Sequence, residues 1–222
     1  MLQIGPSLMC TDLGNVKGDL KELDAAGVDF YHIDIMDGIF VNNFTLGPDF
    51  VQKVRDLTEK PLDIHLMVEN PERFIDLFHQ VGSDMIAIHA EATRNLQGTL
   101  TKIKSLGMKA GVAINPSTPL DVLDYVYSVT DYVVLMTVNP GFAGQKFIPD
   151  MYEKIAQLKA EIDKRGLQIE IEVDGNIGAA TIPQCIAQGA TRFIGGSSSI
   201  YNPKFTLTDN VKATKELLKG GN

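Results

Sequence analysis

Two histidines and two aspartates stand at the ends of three strand-like segments. They are His32 and Asp34 in Phe-Tyr-His-Ile-Asp-Ile, His65 in Leu-Asp-Ile-His-Leu, and Asp174 in Glu-Ile-Glu-Val-Asp-Gly. Side chains alternate faces along a strand, so His32 and Asp34 point to the same side. Two imidazoles and two carboxylates suit a borderline divalent metal ion. If the three segments are neighbouring strands, the sequence predicts one metal site built from all four residues.

A second set of segments suits the binding of phosphate. Residues 139–145, 175–176 and 195–199 are rich in glycine and polar side chains, and each follows a strand-like segment. Glycine lets the backbone approach a ligand closely, and backbone N–H groups bind phosphate whatever the net charge of the protein. Glycines in such places also serve ordinary turns. Taken together with the predicted metal site, the segments favour a small phosphorylated ligand.

These residues can meet only if their strands run parallel and end at one edge. Eight short segments are apolar, β-branched or aromatic enough to form strands: residues 3–8, 30–35, 62–66, 85–89, 109–114, 132–136, 170–173 and 192–194. Most of them are continuously apolar, which is typical of parallel strands covered by helices. The sequence therefore predicts a buried parallel sheet.

Segments with helical periodicity alternate with the strands. They cover residues 13–26, 48–58, 71–81, 96–106, 120–128, 151–165, 179–188 and 209–219. Eight strand–helix units, without a Gly-x-Gly-x-x-Gly turn after the first strand, favour a closed barrel over an open doubly wound sheet. We predict an α/β fold, a single (β/α)8 TIM barrel domain spanning residues 1–222, with its active site at the carboxyl ends of the strands.

Composition excludes several classes of function. The 222 residues include 20 basic and 28 acidic side chains, giving a formal net charge of −8, and no dense basic run marks a nucleic-acid surface. Cys10 and Cys185 form no metal-binding or disulfide motif. The first residues lack the basic and apolar regions of a secretory signal. We expect a cytoplasmic protein that binds neither nucleic acid nor membranes.

The ordered motifs resemble one enzyme family over nearly the whole chain. The matching segments are Pro6-Ser-Leu, His32-Ile-Asp-Ile-Met-Asp-Gly38, Asp63-Ile-His-Leu-Met67, His89-Ala-Glu, Asn115-Pro, Asn139-Pro-Gly-Phe-Ala-Gly-Gln, Glu172-Val-Asp-Gly and Gly196-Ser. They resemble the metal-dependent ribulose-phosphate 3-epimerases and their close relatives, the allulose-6-phosphate 3-epimerases. The resemblance implies a TIM barrel of the ribulose-phosphate-binding type. It also implies an isomerase of carbohydrate metabolism, a ketose-phosphate 3-epimerase.

The resemblance implies one divalent metal ion per chain, held by His32, Asp34, His65 and Asp174, with zinc, manganese, cobalt, iron or magnesium as candidates. Asp34 and Asp174 would also serve as the catalytic acid and base. Inverting a carbon beside a ketone requires removal of its proton and stabilisation of the resulting enediolate. A metal supplies the stabilisation as a Lewis acid, and carboxylates on opposite faces exchange the proton.

Further residues are assigned to the substrate by the same resemblance. Those expected to bind it are Ser7, His65, Gly141, Phe142, Ala143, Gly144, Gly175, Asn176, Gly196 and Ser197. Those expected to flank the enediolate and exclude water are Met36, Met67 and Met136. His89 closes another strand-like segment, and we expect it to support the site or to pack beside it.

Two departures from the pentulose-phosphate enzymes bear on the substrate. Asn176 stands where those enzymes commonly have glycine, and the segment 196–201 is one residue longer before its aromatic residue. Both departures look like the hexulose-phosphate relatives, and we expect the Asn176 amide to donate a hydrogen bond to the phosphate. The predicted reaction is the interconversion of D-allulose 6-phosphate and D-fructose 6-phosphate. The alternative is the interconversion of D-ribulose 5-phosphate and D-xylulose 5-phosphate.

Two other classes of function compete with an epimerase. A Schiff-base aldolase needs a lysine at the carboxyl ends of the strands, but Lys109 begins its strand and Lys146 lies in a loop. A non-catalytic barrel that binds a sugar phosphate needs the glycine segments without the metal ligands. Apolar helix faces are expected to support a homo-oligomer, either a dimer or a hexamer.

Overall fold

Nine strands form one sheet in the computed structural model, which describes residues 1–220. The strands are β1 (Gln3–Pro6), β2 (Tyr31–Asp37), β3 (Phe44–Thr45), β4 (Leu62–Met67), β5 (Met85–His89), β6 (Lys109–Ile114), β7 (Tyr132–Met136), β8 (Glu170–Asp174) and β9 (Arg192–Gly195). Eight of them pair in parallel, whereas the two-residue β3 is antiparallel to the end of β2. Gly221 and Asn222, the end of the predicted domain, lie outside the described residues.

The sheet curls until its two ends meet. Strands neighbour one another in the order β1-β9-β8-β7-β6-β5-β4-β2-β3. A parallel bridge between Ser7, which follows β1, and His32 in β2 joins the two ends. The predicted (β/α)8 TIM barrel is confirmed as a fold class. The predicted strand ends lie within two residues of the observed ones, and β3 was not predicted.

Within residues 1–220, seven α-helices surround the barrel. They are α1 (Val16–Ala26), α2 (Pro48–Arg55), α3 (Ile75–Gln80), α4 (Leu96–Ser105), α5 (Met151–Lys164), α6 (Ile182–Ala187) and α7 (Leu207–Lys219). No helix among the described residues has the length and apolar character needed to cross a membrane.

The predicted helix over residues 120–128 is wrong. This connection contains two short 3-10 helices, Leu120–Leu123 and Tyr127–Val129. The segment Leu-Asp-Val-Leu-Asp-Tyr-Val-Tyr-Ser is rich in β-branched and aromatic side chains, which lower α-helical propensity. The tighter 3-10 turn is a common connector where an α-helix is not favoured.

Alternation along the strands separates two interiors. In β2, Tyr31, Ile33 and Ile35 face the helices and belong to the main apolar core, whereas His32 and Asp34 face the barrel axis. The apolar core between sheet and helices accounts for the continuous hydrophobic character of the strands. The barrel axis is where polar side chains accumulate, and at its carboxyl end it forms the mouth of the barrel.

Candidate active site

The four predicted metal ligands converge on the barrel axis from β2, β4 and β8. One ligand atom from each of His32, Asp34, His65 and Asp174 lies within 4.8 Å of the other three. His32 Nε2 is 3.3 Å from Asp34 Oδ1 and 3.8 Å from Asp174 Oδ2. His65 Nδ1 is 3.4 Å and 3.7 Å from the same two oxygens. Two nitrogens and two oxygens thus surround one small space.

The two imidazole nitrogens that face this space have no hydrogen-bond partner. His32 Nε2 and His65 Nδ1 are buried and unsatisfied, although carboxylate oxygens lie close by. Buried polar atoms without a partner are costly and rare in native proteins. A cation at the centre would satisfy both nitrogens and neutralise both carboxylates. The donor set and its geometry therefore fit a divalent metal ion.

Electrostatics in the cluster also favour a cation. Burial opposes a charge on His32, but the adjacent Asp34 and Asp63 carboxylates together raise its pKa well above the ordinary value. Burial likewise opposes the Asp34 carboxylate, yet His32 and His65 hold the pKa of Asp34 below its usual range. Positive charge between the two carboxylates of the cluster is therefore stabilised, and either a proton or a metal ion can supply it.

Asp63 orients the second nitrogen of His32. Asp63 Oδ2 lies 3.4 Å from His32 Nδ1, so a hydrogen on Nδ1 leaves Nε2 free to face the metal site. Asp63 is itself held by the Tyr132 hydroxyl, which donates to Oδ1 at 2.5 Å, and by Arg192, whose Nη2 is 3.4 Å from Oδ2. All four side chains are at most 2% exposed. The candidate metal site therefore rests on a polar network inside the barrel.

Arg192 is the buried cation of this network. Its Nε donates to Glu172 Oε2 at 2.7 Å, and its guanidinium lies 3.8 Å from the centre of the Phe30 ring. Burial and the nearby Asp63 carboxylate raise the pKa of Glu172 to about 8 despite this partner. Arginine is suited to such a place because it remains charged and stacks on aromatic rings.

The two candidate catalytic carboxylates differ in exposure. The Asp34 side chain is 7% exposed, and its Oδ2 accepts a hydrogen bond from Ser7 Oγ at 2.7 Å. The Asp174 side chain is 17% exposed. Both line the cavity at the mouth of the barrel. Each has one oxygen directed to the metal site, so both could also reach a substrate bound above it.

The same cavity gathers most of the predicted substrate residues. Those that line it are Ser7, Met36, Met67, Met136, Gly141, Phe142, Ala143, Gly144, Gly175, Asn176, Gly196 and Ser197. His65 does not line it, because that ring is fully buried beneath the cavity floor. The cavity thus combines an apolar methionine wall with glycine-rich loops.

Two of the predicted substrate residues make hydrogen bonds within the protein. Ser7 donates its hydroxyl hydrogen to Asp34 Oδ2 at 2.7 Å. Asn176 Nδ2 donates to the Gln145 carbonyl at 2.6 Å and so ties the loop after β8 to the loop after β7. The contacts of both residues with a substrate stay predictions. Asn176 also has a φ of 54°, in the left-handed region that asparagine tolerates better than most residues. It can therefore replace glycine without changing the backbone.

Sequence reasoning missed several residues of the site. Asp63 and Glu172 each lie two positions before a predicted ligand, so the period of two that paired His32 with Asp34 could have placed them on the barrel axis. Met9 and Cys10 line the cavity because a 3-10 helix, Leu8–Cys10, turns the chain into the mouth. No sequence signal marks that turn clearly.

Comparisons with known proteins agree with this geometry. The model of the ribulose-phosphate 3-epimerase family matches residues 3–201. The chain is 42% identical to ribulose-phosphate 3-epimerase of Bacillus subtilis over 218 residues, which cover 98% of each protein. It is 39% identical to ribulose-phosphate 3-epimerase of Escherichia coli K12 over 203 residues, covering 91% of this chain and 90% of that protein.

Among solved structures, the barrel is similar to 3-hexulose-6-phosphate synthase from Salmonella typhimurium. The TM-score is 0.72 with 15% sequence identity, and the match covers 100% of both chains. At that identity the likeness supports the fold alone. The family match and the sequence identities above carry the assignment further: the chain belongs to the ribulose-phosphate 3-epimerase family, and it is a carbohydrate epimerase of the isomerase class.

Proposed function

We propose that this protein interconverts D-ribulose 5-phosphate and D-xylulose 5-phosphate by inverting carbon 3. The observation that carries the proposal is the convergence of His32, Asp34, His65 and Asp174 at the mouth of the barrel of a chain in this family. Two carboxylates border the cavity there, as an inversion that uses one acid and one base requires. The glycine-rich loops that line the same cavity suit the phosphate of the substrate.

The comparisons favour the pentulose phosphate over the allulose 6-phosphate that the sequence led us to expect. Both curated relatives described above are named as ribulose-phosphate 3-epimerases. Asn176 also no longer favours the longer sugar, because its amide donates to the Gln145 carbonyl and its backbone conformation is one that glycine would adopt. Nothing in that contact requires a longer sugar.

The chemistry assigned to the chain begins with Asp34 and Asp174. One carboxylate removes the proton from carbon 3, and the other, protonated, delivers a proton to the opposite face; the reverse reaction exchanges their roles. The hydrogen bond from Ser7 holds Asp34 Oδ2 in place and leaves Oδ1 directed to the cluster. A divalent metal held by the four ligands would supply Lewis-acid stabilisation of the negative charge that develops on the substrate oxygens.

Other residues are proposed to shape the environment of the reaction. Met36, Met67 and Met136 are nearly fully buried at the cavity wall, where they would exclude water from the enediolate. Gly175, with a φ of 122°, lies against Val138 so closely that a side chain would clash. A backbone N–H at such a glycine can approach a phosphate oxygen. The homo-oligomer remains a prediction that sedimentation velocity can test.

The proposed substrate is tested by measuring turnover of both sugar phosphates with one purified sample. We expect kcat/KM for D-ribulose 5-phosphate to exceed that for D-allulose 6-phosphate by at least about tenfold. A site that fits one sugar length orients the reacting carbon of a longer sugar less well. A higher kcat/KM for D-allulose 6-phosphate would overturn the choice of substrate. Turnover of neither compound would overturn the proposed function.

A further inference from the structure

His89 is buried beside the metal site but contributes no atom to it. The ring is 0% exposed at the end of β5, and its Nε2 lies 2.9 Å from Nε2 of His65. The two ring planes are inclined by only 20°, and the ring centroids are 4.9 Å apart. This bond joins His89 to the nitrogen of His65 that faces away from the metal site.

Glu91 determines which nitrogen carries the hydrogen in this bond. Glu91 Oε2 lies 3.2 Å from His89 Nδ1, and an ionised carboxylate only accepts hydrogen bonds. His89 Nδ1 must therefore carry a hydrogen. A neutral His89 then has a bare Nε2, which accepts the hydrogen bond from His65 Nε2. His65 is left with a bare Nδ1, the atom that faces the metal site.

The carboxylate is anchored independently of the metal site. Glu91 Oε1 accepts hydrogen bonds from the backbone N–H of Asn115, at 2.9 Å, and from the hydroxyl of Thr118. Lys154, on α5, donates to the carbonyls of Asn115 and Thr118 at 2.8 and 2.6 Å. The loop after β6 thus holds Glu91 in place. Burial opposes the charge of Glu91, but the hydrogen bonds from His89 and Thr118 outweigh it and lower the pKa of Glu91 to about 2.

We propose that His89 and Glu91 are positioning residues that set the tautomer and orientation of His65 for metal binding. Metal-binding histidines generally donate their other N–H to a carboxylate or carbonyl, and loss of that partner typically costs 10- to 100-fold in metal affinity. Here a second imidazole is interposed between the ligand and the carboxylate. The inference rests on the proposed metal site, but its test does not require turnover.

The first test measures zinc affinity by competition with a chelating dye. We expect His89→Phe, which keeps a ring but offers no acceptor, to weaken zinc binding about 10- to 100-fold. His89→Gln should recover most of the affinity, because its amide oxygen can accept from His65 Nε2. His79→Phe, the same exchange at an exposed position of α3, is the matched control and should leave the affinity unchanged. Wild-type affinity in His89→Phe, or equal losses in the Phe and Gln variants, would overturn the proposal.

The second test uses the wild-type protein and so does not depend on a variant folding. Nitrogen-15 NMR of the zinc-loaded protein should show His89 protonated at Nδ1 and bare at Nε2, and His65 protonated at Nε2. A hydrogen on His89 Nε2 would overturn the proposal. Because neither readout involves a sugar phosphate, a protein inactive on D-ribulose 5-phosphate that still shows both results would contradict only the proposed function.

Discussion

Removal of the Tyr132 hydroxyl tests whether the polar network inside the barrel contributes to stability. The Tyr132 and Asp63 side chains are 0% exposed, and the hydroxyl donates to Asp63 Oδ1 at 2.5 Å. The other partners of Asp63, His32 and Arg192, both contact Oδ2. Tyr132→Phe therefore leaves Oδ1 without its hydrogen-bond donor while keeping the ring that fills the barrel.

The size of the effect follows from the charge of the acceptor. A buried hydrogen bond to a charged group contributes about 1.5–3 kcal/mol, so we expect Tyr132→Phe to lower the free energy of unfolding by that amount. With an m-value of about 3 kcal/mol/M, the urea midpoint should fall by roughly 0.5–1 M. Circular dichroism of the metal-free protein measures this without a contribution from metal binding.

Tyr127→Phe is the matched control for this experiment. Tyr127 is also buried, at 6% exposure, but its hydroxyl makes no hydrogen bond to another of residues 1–220. We expect the control to change the free energy of unfolding by less than about 0.5 kcal/mol. If Tyr132→Phe were no more destabilising than the control, the hydrogen bond from Tyr132 to the buried Asp63 carboxylate would not contribute to stability.

Three further predictions concern the loops and the metal. Lys154→Met should lower the free energy of unfolding by about 1.5–3 kcal/mol, because three carbonyls lose their buried donor. Lys159→Met, which removes an exposed ion pair on the same helix, should lower it by less than about 1 kcal/mol, and urea unfolding of both variants checks this. Gly175→Ala should lower the free energy of unfolding by about 1–3 kcal/mol and lower kcat/KM, because the new Cβ would lie 2.6 Å from Val138 Cγ2 at a φ of 122°. Thermal unfolding and steady-state kinetics measure both effects, and a variant with unchanged stability and kcat/KM would contradict the prediction. Chelation should abolish turnover, and zinc at 100 times its Kd should raise the free energy of unfolding by about 2.7 kcal/mol, whereas full activity in a verified metal-free sample would contradict the metal site.

The part of the site that the sequence predicted is the part governed by strand geometry. His32 and Asp34 had to share a face because strands have a period of two, and closure of the barrel brings that face to the barrel axis. The same rule reaches Asp63 and Glu172, which nonetheless went unnoticed because they lie deeper in the barrel and contribute no ligand atom to the four-residue site. Strand periodicity gives the direction of a side chain but not its partner.

The parts that could not be predicted depend on loops and on contacts between distant segments. The hydrogen bond between Asn176 and Gln145 joins two loop residues that are 31 positions apart, and no local sequence pattern predicts it. The connection over residues 120–129 has apolar side chains at helical spacing, but its β-branched and aromatic residues disfavour an α-helix and it forms two short 3-10 helices. The expected preference for D-allulose 6-phosphate rested in part on Asn176, a loop residue whose side-chain contact with Gln145 the sequence does not show.

In the proposed reaction, Asp34 and Asp174 move the carbon-3 proton on opposite faces of the substrate. The direct measurement is proton NMR of D-ribulose 5-phosphate incubated with the protein in deuterated water. We predict D-xylulose 5-phosphate carrying one deuterium at carbon 3, and we predict that Asp174→Asn exchanges this hydrogen in only one of the two epimers without inverting it. Inversion without deuterium at carbon 3, or full inversion by Asp174→Asn, would contradict the account.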